Sequence, residues 1–305
     1  MIVASIIVYL VIFVFFAIGV ISFITIVTNK EPLEYTIFNN IDCDDCYNEK
    51  VITDNILFSN LNSDVFDKSK AKLCAELIKM VYSQNEKVNG LVQVRDIYVS
   101  TSVKNICSIF HDVNTIFVCF RGTLTIKEWL NNFNISQMSA KDKGFENIPS
   151  FMNKNTDIKV HTGFMKIINE IINEIYEVIT ELFNLNSEFK ICLCGHSLGG
   201  ALATILGCDL GFLGQDVSVY SYGSPKVGDI NLVNFVNAYN INIWRIVNTE
   251  DMIAYTPVSV SSNTLRAQEP YFYTHCGKEI AFTANKKSLM NNHSLQLYSM
   301  SIENL

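Results

Sequence analysis

The chain has 305 residues, 49% of them hydrophobic and 17% charged, which is enough for one large domain with an appendage. A formal net charge of −7 and the absence of any Lys/Arg cluster argue against a nucleic-acid partner. Nine cysteines is an odd count, so disulfides cannot use them all; Cys119, Cys192, Cys194 and Cys208 lie in apolar runs and read as small core residues, while Cys43 and Cys46 form a lone C-x-x-C without the second pair that a metal site wants.

Ile2 to Thr28 contains no charged residue. As a helix it would reach roughly 40 Å, more than the ~30 Å hydrocarbon core, so it is expected to be a retained transmembrane helix within an anchor of residues 1–30. A cleaved signal peptide, and hence secretion, is the alternative; no Lys or Arg precedes the run, and it exceeds the ~7 to 15 residues of a signal core. The expectation is therefore a single-pass membrane protein held to the bilayer through residues 2–28. Lys30 is offset by Glu31 and Glu34, so orientation is left open. Residues 31–63 are polar and weakly patterned, a stalk or linker, and 64–305 carry the folded domain.

Within that domain, Asp64 to Gln84 places Leu73, Leu77, Ile78 and Val81 at helical spacing behind caps at Ser63 and Asp64. Leu91 to Ser100, Val103 to Phe110 and Thr115 to Phe120 read as strands, the last ending at Arg121-Gly122-Thr123. Ile126 to Phe133, carrying Trp129, is a short amphipathic segment: either a surface helix with one buried aromatic or a lid whose apolar side turns toward lipid. Ser136 to Asp157 is polar and unpatterned, and Asn134-Ile135-Ser136 is a glycosylation sequon only if this part is lumenal. From Phe164 to Leu182 apolar residues recur at three and four, the clearest helix of the chain. Further strands are expected at Phe189 to Cys194, Val217 to Tyr222, Ile243 to Val247 and Tyr273 to Phe282, with helices at Ala201 to Leu210, ending at Gly211, and Ile230 to Tyr239. Strand and helix alternate, so the fold class is α/β with a mainly parallel sheet.

Gly195-His196-Ser197-Leu198-Gly199-Gly200 sits between one of these strands and its helix. A serine in so sharp a strand-to-helix turn is lifted clear of the sheet, and glycines two places before and after it avoid a collision. Ser197 is thus the candidate nucleophile. A serine hydroxyl needs a histidine to take its proton, and the histidine needs an acid to orient it. In hydrolases of this layout the chain order is serine, acid, histidine. His111 and His161 come too early and His196 is fixed in the turn, leaving His293, in a loop that opens the last helix, ahead of His275 inside an apparent strand. Asp251 ends a strand and is favoured over its neighbour Glu250, while Asp209 lies within a helix and Asp229 follows a glycine turn. Thr123, after an earlier strand, is placed to supply a second oxyanion donor.

These motifs together resemble the class 3 lipases, the family of the fungal triacylglycerol lipases, over roughly residues 65 to 300. The resemblance is carried by FRGT (Phe120 to Thr123) with Trp129, VHTGF (160–164), GHSLGGALA (195–203), YGSPKVGD (222–229), the NTEDMIAYTP stretch, THCGKEI (274–280) and His293. It implies an α/β-hydrolase domain with helices on both faces of the sheet, Ser197 as nucleophile, Asp251 as acid and His293 as base. It also implies an oxyanion hole from Thr123 with the Leu198 amide, a lid around Trp129, and neither metal nor organic cofactor. The sequence departs from many relatives in having Asn292, where they carry Asp, before the histidine. The expected activity is hydrolysis of lipid carboxylic esters at a membrane or lipid-droplet surface through an acyl-enzyme. The rivals are an acyltransferase on the same site and a catalytically silent membrane adaptor.

Overall fold

Seven of the apolar runs assemble into one sheet in the computed structural model, which describes residues 65–83, 90–100, 102–123, 135–139, 142, 149–154, 157–261 and 270–305. The strands are β1 (Val92–Ile97), β2 (Cys107–His111), β3 (Thr115–Phe120), β4 (Lys190–His196), β5 (Val217–Tyr222), β6 (Asn242–Asn248) and β7 (Lys278–Phe282). They lie side by side in chain order. β1, β2 and β3 pair antiparallel, and every pairing from β3 to β7 is parallel. The expected mainly parallel sheet is therefore present.

Alternation along the strands sorts the side chains into two cores. Ile116, Val118, Ile191, Leu193, Val219 and Ile243 face one side, beneath helices α2 (Thr162–Leu185), α3 (Leu198–Phe212) and α4 (Ile230–Ala238). Phe117, Cys119, Cys192, Cys194, Tyr220, Tyr222, Trp244 and Ile246 face the other, covered by α1 (Lys68–Ser83) and α6 (Leu295–Ile302), which follows the one-turn α5 (Leu289–Asn292). Helices thus cover both faces. The four cysteines read as core residues are all buried, and burial raises their thiol pKa values.

Several boundaries differ from expectation for local reasons. α1 starts at Lys68, where the Asp67 carboxylate accepts the Lys70 amide at 2.9 Å. α3 runs past Gly211 to Phe212, and the left-handed residue that follows is Gly214 (φ 82°). Gly211 instead allows close packing, since a Cβ there would lie 2.8 Å from Ile241 Cγ1. The stretch expected to be an unpatterned loop contains Gln137–Met138, paired with Val160–His161, and the short helix Ser150–Lys154. Only Lys278–Phe282 of the 273–282 run is sheet, so His275 lies in a connection and not in a strand. The anchor over 2–28, the stalk, Cys43, Cys46 and the Trp129 segment lie outside the described residues. Among the described residues, no helix is long and apolar enough to cross a membrane.

Candidate active site

The site begins with backbone sterics at the end of β4. Ser197 has φ 58° and ψ −126°, a region that L-residues avoid, and such a residue costs on the order of 1–3 kcal/mol. Its surroundings over-determine it. A Cβ on Gly195 would stand 2.1 Å from the Gly199 carbonyl oxygen, and one on Gly199 would stand 2.4 Å from the Phe120 oxygen of β3. The Ser197 amide donates to Tyr222 O at 2.8 Å, tying the turn to β5. Ser197 occupies the N-cap position of α3, yet its side chain makes no capping hydrogen bond. The hydroxyl is thereby left for chemistry at the positive end of a helix.

The loop after β3 closes on this turn. A Cβ on Gly122 would fall 2.9 Å from Ser197 Cβ and 2.8 Å from His196 O, so only glycine permits the approach. Thr123 follows, and its buried Oγ1 has no hydrogen-bond partner among the described residues.

The candidate acid and base come from segments beyond β5. Asp251 follows β6 and is fully buried. His293 sits between α5 and α6, also fully buried, and its Nδ1 lies 2.6 Å from Asp251 Oδ2. The same carboxylate oxygen accepts the Tyr298 hydroxyl at 2.7 Å, while Oδ1 accepts the Ile253 amide at 3.0 Å. Tyr298 in turn accepts the Asn248 amide at 3.1 Å, and burial beside Asp251 pushes its phenol pKa up, keeping it a donor. Gly223 (φ 55°) makes room for the pair, since a Cβ would lie 2.8 Å from Asp251 Oδ2. The His293 ring rests 4.7 Å, centroid to centroid, from that of His196, the neighbour of Ser197. His293 Nε2 is buried and has no hydrogen-bond partner among the described residues. An orienting acid on one ring nitrogen and an unengaged second nitrogen beside the serine turn is what a general base requires.

The alternatives left open by the sequence now separate. His275 donates from Nε2 to Ala254 O at 2.8 Å; burial and nearby Arg245 lower its pKa to about 3, so it is a neutral brace for the 3-10 turn Met252–Tyr255. Glu250 accepts from exposed Asn285 at 2.7 Å and not from His293. Asp209 accepts the Tyr176 hydroxyl and the Phe151 amide, and Asp229 caps α4. Tyr298, Gly223 and Asn248 were not anticipated as site residues.

The hydrogen bonds of Asn292 suit an amide at the position where many relatives carry Asp. Its Nδ2 donates to Glu250 O at 3.0 Å and its Oδ1 accepts the Lys286 amide at 2.7 Å, while its own carbonyl accepts Asn248 Nδ2 at 3.0 Å. The loops that carry Asp251 and His293 are thereby stitched together. A carboxylate at 292 could not donate, and one oxygen would face a carbonyl. Asn292→Asp is expected to lower stability by about 1–3 kcal/mol at neutral pH. Urea unfolding of the variant against the wild type checks this, and equal midpoints would contradict it.

The family model described as Lipase (class 3) matches residues 117–261. The lipase of Rhizomucor miehei is 29% identical over 165 residues, covering 52% of this chain and 42% of that protein. Phospholipase A1-Ialpha2, chloroplastic, of Arabidopsis thaliana is 26% identical over 214 residues, covering 60% of this chain and 43% of that protein. The chain thus spans less than half the length of these curated relatives. The crystal structure of the lipase from Rhizopus microsporus var. chinensis matches with a TM-score of 0.58 at 20% identity, covering 70% of this chain and 74% of that one. That likeness establishes the α/β-hydrolase fold.

Proposed function

We propose that this chain, whose residues 117–261 match the class 3 lipase family model, is a serine hydrolase cleaving the carboxylic esters of lipids. One observation carries the reading: a buried acid–histidine pair whose other ring nitrogen has no partner among the described residues, beside a serine held in a strained turn.

The chemistry follows from that arrangement. Ser197 Oγ attacks the ester carbonyl carbon as its proton passes to His293 Nε2. Asp251 accepts the Nδ1–H throughout, holds the tautomer and stabilises the imidazolium. The oxyanion of the tetrahedral intermediate is received by the Leu198 amide with Thr123 as the second donor; one such donor is typically worth ~10² to 10³ in rate. His293 then gives its proton to the departing alcohol, leaving an acyl ester on Ser197. Water, deprotonated by the same nitrogen, releases the carboxylic acid.

The substrate class is lipid ester, with triacylglycerol, diacylglycerol and phospholipid all compatible with the relatives. The segment over 2–28 would hold the domain at a bilayer as a single-pass anchor, raising the local concentration of membrane lipid, and the Trp129 segment would cover the serine away from lipid. The test is to incubate the purified full chain with a mixed lipid extract and identify the products by mass spectrometry. Free fatty acid with the matching deacylated lipid is the expected outcome. Acyl groups recovered mainly on a second lipid alcohol would mean transfer instead of hydrolysis, and unchanged lipid would overturn the proposal.

A further inference from the structure

The hydrolase reading leaves unexplained why a tyrosine of α1, outside the matched region 117–261, reaches into the serine turn. Tyr82 accepts the Gly122 amide at 2.7 Å, and its hydroxyl lies 3.0 Å from His196 Nδ1. His196 Nε2 lies 2.8 Å from the backbone carbonyl oxygen of His293. Directions along this chain are forced. A carbonyl can only accept, so the His196 proton sits on Nε2 and Nδ1 is an acceptor. Tyr82 must then spend its one proton on Nδ1, which leaves its oxygen to take the Gly122 N–H. Every donor meets an acceptor, and the sequence runs unbroken from the loop of Thr123 to the loop of His293.

The other side of the same loop is also held. Arg121 Nη1 donates to the Gly122 carbonyl at 2.8 Å, and the guanidinium is fixed by Asn105 O and Lys104 O. In a trans peptide the carbonyl of Gly122 and the N–H of Thr123 point in opposite directions, so fixing one aims the other. Burial, with His293 alongside, keeps the His196 imidazole well below its ordinary pKa and therefore neutral, as this pattern of donors requires.

We propose that Tyr82 and His196 are positioning residues: a hydrogen-bonded bridge that sets the oxyanion loop and the base loop against each other across the nucleophile. This rests on the hydrolase reading. Neither side chain is asked to touch substrate. Their work is to hold Gly122-Thr123 and His293 in register, and a displacement near 1 Å at such a site can cost ~10²-fold.

The experiment measures ester turnover by the full chain as wild type, Tyr82→Phe, His196→Asn and the double variant. Each kcat is referred to sites titrated with a fluorophosphonate, so that misfolded molecules do not count. Tyr82→Phe keeps the ring and loses the hydroxyl; it is expected to lower kcat by ~10 to 10²-fold with KM within about twofold. His196→Asn cuts the same bridge at its other end, so the double variant should lose little more than the worse single one. Tyr82→Phe within twofold of wild-type kcat, a loss confined to KM, or single losses that multiply in the double variant would each overturn the bridge. A wild type that neither turns over ester nor reacts with the probe would overturn the hydrolase reading beneath it, an outcome distinct from all of these.

Discussion

Replacing His293 by alanine is expected to lower the kcat for ester hydrolysis by roughly 10⁶, about as much as removing the whole triad would. The size of the effect follows from the lack of any substitute. His196, the nearest other imidazole, has Nε2 committed to the His293 carbonyl and Nδ1 committed to Tyr82, and burial keeps it from binding a further proton. His275 is engaged with Ala254 O. A serine hydroxyl without a base is a poor nucleophile at neutral pH, so the loss falls on the chemical step and KM changes little. Initial rates on a soluble short-chain ester, with the fold checked by circular dichroism, measure it. A loss below about 10²-fold would mean that another group takes the proton.

The second large effect is expected from Asp251→Asn, a fall in kcat of about 10⁴. The carboxylate has a fixed division of labour, with Oδ1 accepting the Ile253 amide and Oδ2 accepting both His293 Nδ1–H and the Tyr298 hydroxyl. An asparagine that keeps its oxygen on the Ile253 amide presents NH₂ to the imidazole. Nδ1 then becomes the acceptor and the proton moves to Nε2, the nitrogen that must be empty to serve as base. The variant should stay folded, because the buried negative charge is replaced by a neutral group of the same shape. Normal turnover by Asp251→Asn would show that Asp251 does not set the tautomer.

How much of this was legible in the sequence depends on how far each feature is determined locally. Thr115–Phe120 and Val217–Tyr222 were read to the residue, because strands buried on both faces leave uninterrupted apolar runs. The turn at Ser197 was legible because its glycines answer a steric demand set within a few residues. The strand expected from residue 273 was not, since 273–277 look just as apolar and aromatic as 278–282 but are turned away from β6 by Gly277 (φ 90°), whose Cβ would meet Ile243 O at 2.6 Å. The stop at Gly211 failed for a related reason, because a helix glycine that serves packing looks the same in sequence as one that ends the helix. Tyr82 and Tyr298 were hidden more deeply. Their partners lie 114 and 47 residues away, and no local pattern distinguishes a tyrosine whose hydroxyl is needed from one that fills a core. Asp251 and His293 were chosen by chain order, a rule about topology, and the structure brings their side chains within 2.6 Å of each other.

The most direct test of the central claim is covalent. Purified full chain treated with a fluorophosphonate and digested should carry one phosphonyl adduct on the peptide containing Ser197, formed at least ~10³ times faster than in His293→Ala, because the reagent needs the same activated oxygen that an ester does. An adduct on another residue, no adduct at all, or equal rates in the two proteins would contradict the account.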